Sequence, residues 1–317
     1  PITLILKISG WVVPMWLAEK VWLLALFTAG GVGMARMPGL QGPGRYYAGV
    51  AYMVNPFSYI RFVEGQWGVL GSYLLLPLAI VAFLQALDSG RLKQVGIATL
   101  LTTLVGIVQL HGLLLLLLIF AVLLLVKIVV EARYCNFKSL FSTLVKIGGL
   151  LALLNLYWLF PAIMAGSSVL ERLDPREFAL FAPISSSGLG IPFDVISLYA
   201  FWRSEYIHVK DLLPFWWVAF IGIFLLASYG AWSGLTKSHH RGMVIATVLL
   251  AFMGAVLTLG ANSSWTSMMV ENLSSWFTPF RAFRDTGKFA ALIALAYAYL
   301  GGLGLHAMLT DLAPAAL

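Results

Sequence analysis

The sequence predicts an all-α, polytopic transmembrane helical bundle of about 8–10 spans with external loops. Hydrophobic residues make up 61% of the 317 residues and charged residues 10%, against roughly 45–50% and about 25% in soluble domains. The apolar residues form runs of roughly 20, the length of a helix that crosses a bilayer. The basic residues cluster in short segments between these runs, so the net charge of +7 indicates membrane orientation rather than nucleic-acid binding.

The apolar runs give the spans in chain order. Two short runs, 4–17 and 46–57, are expected to form tilted, interfacial or re-entrant segments, since the first is interrupted by Lys7. No linker separates two soluble domains, so 1–317 is predicted to be a single transmembrane domain. The eight stronger runs are residues 21–36, 67–87, 95–110, 112–130, 140–162, 213–232, 243–261 and 289–309.

The distribution of Lys and Arg predicts the orientation. With the span at 67–87 as reference, successive loops are assigned to alternate sides of the membrane. The short basic loops then fall on one side, which the positive-inside rule assigns to the cytoplasm. The longer segments 55–66, 166–211 and 262–288 then lie on the external side. The basic residues on the cytoplasmic side are Arg36, Arg45, Arg91, Lys93, Arg133, Lys138, Lys237 and Arg241.

The external segment 55–66 supplies the first group of candidate site residues. Arg61 is suited to a phosphate or sugar, because its planar donors can grip phosphate oxygens in pairs. Asn55 and Gln66 are further candidates for substrate binding, and Glu64 is a candidate catalytic carboxylate. Interfacial anchoring of this segment by its aromatic and basic side chains is the alternative.

A second group lies in residues 277–289, just before the last span. Arg281, Arg284 and Lys288 occur within eight positions around Asp285, and charges at a membrane boundary are costly unless they pair or bind something. The segment therefore predicts a phosphate site with Asp285 as a second candidate carboxylate. A salt bridge of Asp285 within the segment, which merely ends a loop, is the alternative.

The long segment 166–211 supplies the third group. Trp202 and Arg203 place an aromatic ring beside a cation, which suits sugar binding. The same composition suits an amphipathic helix on the bilayer surface. The five histidines and the single cysteine show no metal-ligand spacing of the HExxH or CxxC kind, so no metal site is predicted.

Several motifs in order carry a family resemblance. NPFSYIRFVEGQW, GSYLLLPL, NLYWLFPA, ISLYAFW and FRAFRDTGKF resemble segments of GT-C-type integral-membrane glycosyltransferases. The likeness extends over residues 24–306 and is greatest to the membrane region of cell-wall α-(1→3)-arabinofuranosyltransferases and their uncharacterised bacterial and archaeal relatives. The resemblance implies a GT-C-like bundle in the cytoplasmic (plasma) membrane with an extracytoplasmic active face.

The resemblance also implies the chemistry. The donor would be a polyprenyl-phosphate sugar, and the acceptor a glycan or glycolipid in contact with membrane lipids. Arg61, Arg281, Arg284 and Lys288 would stabilise the leaving phosphate, and a divalent metal is compatible with that role. Members of the class place a catalytic acid in the first external loop, and the chain is expected to be a fragment that begins beyond it. Glu64 and Asp285 are then the remaining carboxylates best placed to assist.

Two other functions fit the same residues. A transporter or flippase of a lipid-linked or anionic solute could use the arginines for binding alone, but it should carry polar residues at mid-membrane depth, and the centres of the predicted spans are nearly free of charge. A non-catalytic membrane scaffold is the third interpretation.

Overall fold

A computed structural model describes residues 7–130, 132, 136–165, 176–237 and 240–312. These residues form an all-α polytopic bundle, as predicted, and the described part contains no strand beyond one isolated bridge between Ile184 and Phe201. The helices are α1 (Met15–Ala35), α2 (Gly42–Met53), α3 (Pro56–Val63), α4 (Trp67–Ser89), α5 (Leu92–Val108), α6 (Leu110–Val130), α7 (Phe137–Met164), α8 (Arg176–Leu180), α9 (Ile191–Ile196), α10 (Val209–Leu212), α11 (Trp216–Lys237), α12 (Arg241–Leu259), α13 (Ser264–Trp276) and α14 (Ala290–Leu312).

The chain is a multi-pass membrane protein. Among the described residues, seven helices are long and apolar enough to cross a bilayer, namely α1, α4, α6, α7, α11, α12 and α14 with the short turn before it. The apolar helix α5 is shorter. Each of the eight stronger apolar runs therefore corresponds to a helix of the bundle.

The two weaker runs behave differently from a full span. Of the run at 4–17, residues 4–6 lie outside the described part, residues 7–9 are helical, and residues 15–17 form the start of α1 after an intervening turn. The run at 46–57 is divided between α2 and α3, because Asn55 caps α3 and Pro56 is its first residue. This broken helix packs through α2 against α1 and α14.

Helix α14 is the centre of the bundle and packs against α11, α2 and α12. In its most apolar stretch 67% of the residues are buried, whereas in that of α7 11% are buried. Small residues permit the close approach of these helices. A Cβ on Gly230 of α11 would overlap the carbonyl oxygen of Leu300 in α14, and a Cβ on Gly304 would overlap that of Leu226.

The two ends of the bundle differ as the basic residues predict. At the short-loop end, Lys127 pairs with Asp88 and Tyr299 donates to the carbonyl oxygen of Pro38. At the other end, which we call the loop end, residues 64–66, 176–215 and 260–289 meet. Arg133, the side chain of Lys237 and residues 166–175 lie outside the described part.

Candidate functional site at the loop end

A buried ion pair connects the first two groups of candidate residues. Arg61 Nη1 lies 2.7 Å from Asp285 Oδ2, and the two side chains are 1% and 7% exposed. The same nitrogen donates to Gln66 Oε1 at 2.5 Å. The guanidinium also lies over the rings of Phe57 and Phe201, at 5.3 Å and 5.0 Å. The pair therefore ties α3 to the segment before α14.

Local structure on both sides fixes this pair. Arg61 is in the last turn of α3, and Gly65 follows with a φ of 71°, a left-handed conformation that glycine adopts without steric cost. On the other side, Asp285 lies between two short 3₁₀ helices, Thr278–Phe283 and Thr286–Phe289. Gly287 leaves room for the pair, because a Cβ there would lie 3.0 Å from Asp285 Oδ1.

A cavity of about 310 Å³ opens beside the ion pair. Two cationic side chains, one carboxylate and two indole rings face it, so charged and aromatic groups share one space. Its lining residues are Gly65, Gln66, Trp67, Gly68, Val69, Gln109, Phe181, Trp202, Arg284, Asp285 and Lys288.

The two cations of the cavity are held differently. Arg284 pairs with Glu177 at 2.5 Å, and its guanidinium lies 4.7 Å from the centre of the Phe181 ring. Lys288 is half-buried and forms no ion pair within the described ranges. The ammonium of Lys288 is therefore the cation of the cavity that a bound anion can neutralise without displacing a carboxylate.

Glu64 and Arg203 form a second ion pair at the same end. Arg203 Nη1 lies 2.9 Å from Glu64 Oε1, and the Glu64 side chain is 8% exposed. Hydrogen bonding to Tyr206, together with the nearby Glu64 carboxylate, raises the pKa of Arg203 above its usual value. The Arg203 guanidinium also covers the Trp202 ring at 4.4 Å and so holds this indole at the cavity.

Two candidate residues are engaged away from the cavity. The Asn55 amide donates to the carbonyl oxygen of Tyr52 at 2.8 Å, and its Oδ1 accepts from the Ser58 N–H at 3.0 Å, so this side chain caps α3. Arg281 Nε donates to the carbonyl oxygen of Ser274 at 3.1 Å. Neither side chain lines the cavity.

The structure also brings up residues that the sequence did not single out for a site. Gln109 and Phe181 line the cavity, and His111 contacts the carbonyl oxygen of Ala282 at 2.6 Å. Gln109 lies at the break between α5 and α6. An amide among apolar residues is the sequence feature that could have identified it as a site residue. Phe181 follows α8 in a loop whose sequence carried no such signal.

A second, apolar groove of about 340 Å³ lies between α2, α3, α11 and α14. Tyr199 of the long segment and Leu213, just after it, cover one part of the groove, while Ala294 and Tyr297 of α14 form another. Tyr59, an aromatic side chain of the segment 55–66, donates to the carbonyl oxygen of Ile207 at 2.9 Å and lines this groove.

Within the described residues, no group of three or more His, Cys, Asp or Glu side chains is arranged to hold a metal ion. No protein-family model matches the chain, and neither a curated protein nor a solved structure matches it.

Proposed function

We propose that the protein is the membrane core of a glycosyltransferase that uses a polyprenyl-phosphate sugar as donor and an extracytoplasmic glycan or glycolipid as acceptor. One observation carries the proposal: Arg284, Lys288, Asp285 and Trp202 line the same cavity at the loop end. These side chains match the phosphate, the acceptor proton and the sugar ring that such a reaction must accommodate.

The cations would act on the leaving group. As the bond between the anomeric carbon and the phosphate oxygen breaks, negative charge develops on the lipid phosphate. Lys288 can pair with the phosphate directly. Arg284 can interact with the phosphate while it remains paired with Glu177. Fixed cations in a partly enclosed site stabilise such charge more than water does, because they need no reorganisation during the reaction.

The carboxylate would act on the acceptor. The acceptor oxygen forms the new bond to the anomeric carbon, and its proton passes to a general base. Asp285 is the one carboxylate among the residues that line the cavity. Its Oδ2 is held by Arg61, while Oδ1 is buried and has no hydrogen-bond partner in the described structure, so Oδ1 is the oxygen left to accept a proton.

The apolar groove suits the lipid part of the donor. The groove and the cavity lie along the same part of the chain, since Lys288 is in the short 3₁₀ helix that leads into α14 and Ala294 and Tyr297 of α14 line the groove. At 1.5 Å per residue, these positions are about 9–14 Å apart along the helix. An isoprenoid chain in the groove and its phosphate in the cavity are compatible with this spacing.

The position of the charges favours a surface reaction over passage of a solute. The buried charged side chains of the described part include Arg61, Glu64, Asp194, Lys210 and Asp285, and these five lie outside the middle of the long spans. Lys146 of α7 is exposed and reaches towards the carbonyl oxygen of Gly90 at the short-loop end. A transporter would be expected to place such groups at mid-membrane depth.

The test uses protein reconstituted in vesicles with radiolabelled polyprenyl-phosphate pentose or hexose. We expect Arg284→Ala and Lys288→Ala each to reduce sugar transfer by about 100-fold or more, the range seen when one stabilising donor of a transition state is removed. Arg45→Ala is the matched control, because Arg45 is exposed at the short-loop end and should leave transfer unchanged.

Normal transfer by both cavity variants would overturn the proposed role of these cations. Donor binding without transfer by the unaltered protein would instead support the transporter or scaffold interpretation. Insertion is followed separately by the yield of protein extracted from the membrane fraction, which should be the same for all three variants.

A further inference from the structure

Helix α13 has three chemically different faces. Its side towards the protein carries the small or branched residues Thr266, Val270 and Ser274, which are buried. Three of its large apolar side chains, Trp265, Met268 and Trp276, are exposed instead. Trp265 is 62% exposed, and Trp276 is 86% exposed, so the usual arrangement of a soluble amphipathic helix, with large apolar residues inward, is reversed.

The outward residues form a largely apolar surface that also contains the exposed Asn272. They recur at spacings of three and four, which places them on one side of a helix. The polar residues Glu271 and Ser275 occupy a different, exposed face. The outward surface borders a shallow groove of about 440 Å³ lined by Trp265, Met268, Met269, Asn272, Leu273 and Trp276.

The position of α13 determines what covers this surface. The span α12 ends at Leu259, and the N-cap of α13 is Ser263. With three residues between them, Leu259 and Ser263 are at most about 14 Å apart when the chain is extended. Helix α13 therefore lies at the level where α12 leaves the bilayer, and its 13 residues are too few to cross the hydrocarbon core, which needs about 20.

We propose that α13 is an interfacial helix that lies in the lipid headgroup region of the bilayer at the loop end. Its apolar surface would face the acyl boundary, its polar face the water, and its third face the protein. Tryptophan favours this zone because the indole ring is largely apolar while its N–H can bond to headgroups or water. Lipid that contacts α13 would also contact the exposed apolar side chains of α12, where Phe252 is 68% exposed.

This anchor would set the height of the cationic segment relative to the membrane. Arg281 Nε binds the carbonyl oxygen of Ser274 in the last turns of α13. Beyond it, the rings of Phe280 and Phe289 stack at 5.9 Å, and Phe283 and Phe289 stack at 4.6 Å. The packed rings connect α13 to the start of α14, so Arg284 and Lys288 are carried between two membrane-anchored elements.

The proposal is tested by spin labels on the whole protein in phosphatidylcholine vesicles, in a background with Cys135→Ser. Labels are attached after Trp276→Cys or Trp265→Cys on the apolar surface. The matched controls are Ser275→Cys and Glu271→Cys on the polar face of the same helix. Each replaced side chain is exposed, so each variant is expected to fold.

We expect labels at 265 and 276 to collide more often with oxygen, which concentrates in lipid, than with a water-soluble nickel chelate. Labels at 271 and 275 should show the opposite preference. The proposal is overturned if the label at 276 meets the nickel chelate as often as the label at 275. Low collision with both reagents at 265 and 276 would also overturn it, because protein would then cover the surface. The readout involves no sugar transfer and is independent of the proposed function.

Discussion

At the scale of single residues, the Arg61–Asp285 pair has a large desolvation cost. Both groups are taken out of water, and each offsets the desolvation cost of the other. Asp285→Asn keeps the shape but leaves the Arg61 charge buried without its counter-ion. We expect the variant to lose about 3–5 kcal/mol of stability, measured by unfolding in mixed micelles at increasing fractions of sodium dodecyl sulfate.

The control for this prediction removes both charges. Arg61→Met combined with Asp285→Leu should recover most of the lost stability, because an apolar pair of similar volume has no charge to bury. If the double variant is less stable than Asp285→Asn, the contribution of the pair is packing rather than electrostatics. Activity of either variant is a separate question, since Asp285 is also the proposed base.

The residue composition of the site was partly predictable. Segments 55–66 and 277–289 were identified because arginine and carboxylates at a membrane boundary are unusual. The alternative for Asp285 was a salt bridge within its own segment, whereas the structure pairs it with Arg61, 224 positions away. No local pattern specifies such a contact, because it depends on how α3 and α14 pack.

At the scale of elements, the contact between α11 and α14 depends on glycine. A Cβ on Gly230 would overlap the backbone of α14, so Gly230→Ala must push the two helices apart. We expect a loss of about 1–3 kcal/mol, the range for overpacking, in the same detergent unfolding measurement.

Gly222 of α11 provides the matched control. A Cβ there would meet open space, so Gly222→Ala should be neutral or slightly stabilising through the better helix propensity of alanine. Equal effects at both positions would show that helix propensity, not close packing against α14, decides the outcome.

Long spans were predictable as elements because lipid requires every backbone polar group to be bonded within a helix. The division of 46–57 into α2 and α3 was not, since a helix break depends on the cap at Asn55 and on tertiary support from α1 and α14. Helix α13 lies within the external segment 262–288. The sequence does not show which of its residues face the protein, because that depends on the helices packed around it.

At the scale of the whole molecule, the separation of short basic loops from long mixed loops predicts its orientation. The structure places these two classes at opposite ends of the bundle. Lys and Arg in short loops are retained on the cytoplasmic side of a membrane. At the short-loop end, Arg36 and Arg91 lie between helices, and Lys93 lies in the first turn of α5. We therefore expect the loop end, with its cavity, to face away from the cytoplasm.

Labelling of single cysteines tests this orientation in intact cells that express the protein with Cys135→Ser. Ser275→Cys lies at the loop end and Ser89→Cys at the short-loop end, and both serines are exposed and differ from cysteine by one atom. A membrane-impermeant maleimide should label position 275 in intact cells and position 89 only after the membrane is permeabilised. The reverse pattern would place the cavity in the cytoplasm, where an extracytoplasmic acceptor cannot reach it, and would remove the basis of the proposed sugar transfer while leaving the bundle itself unchanged.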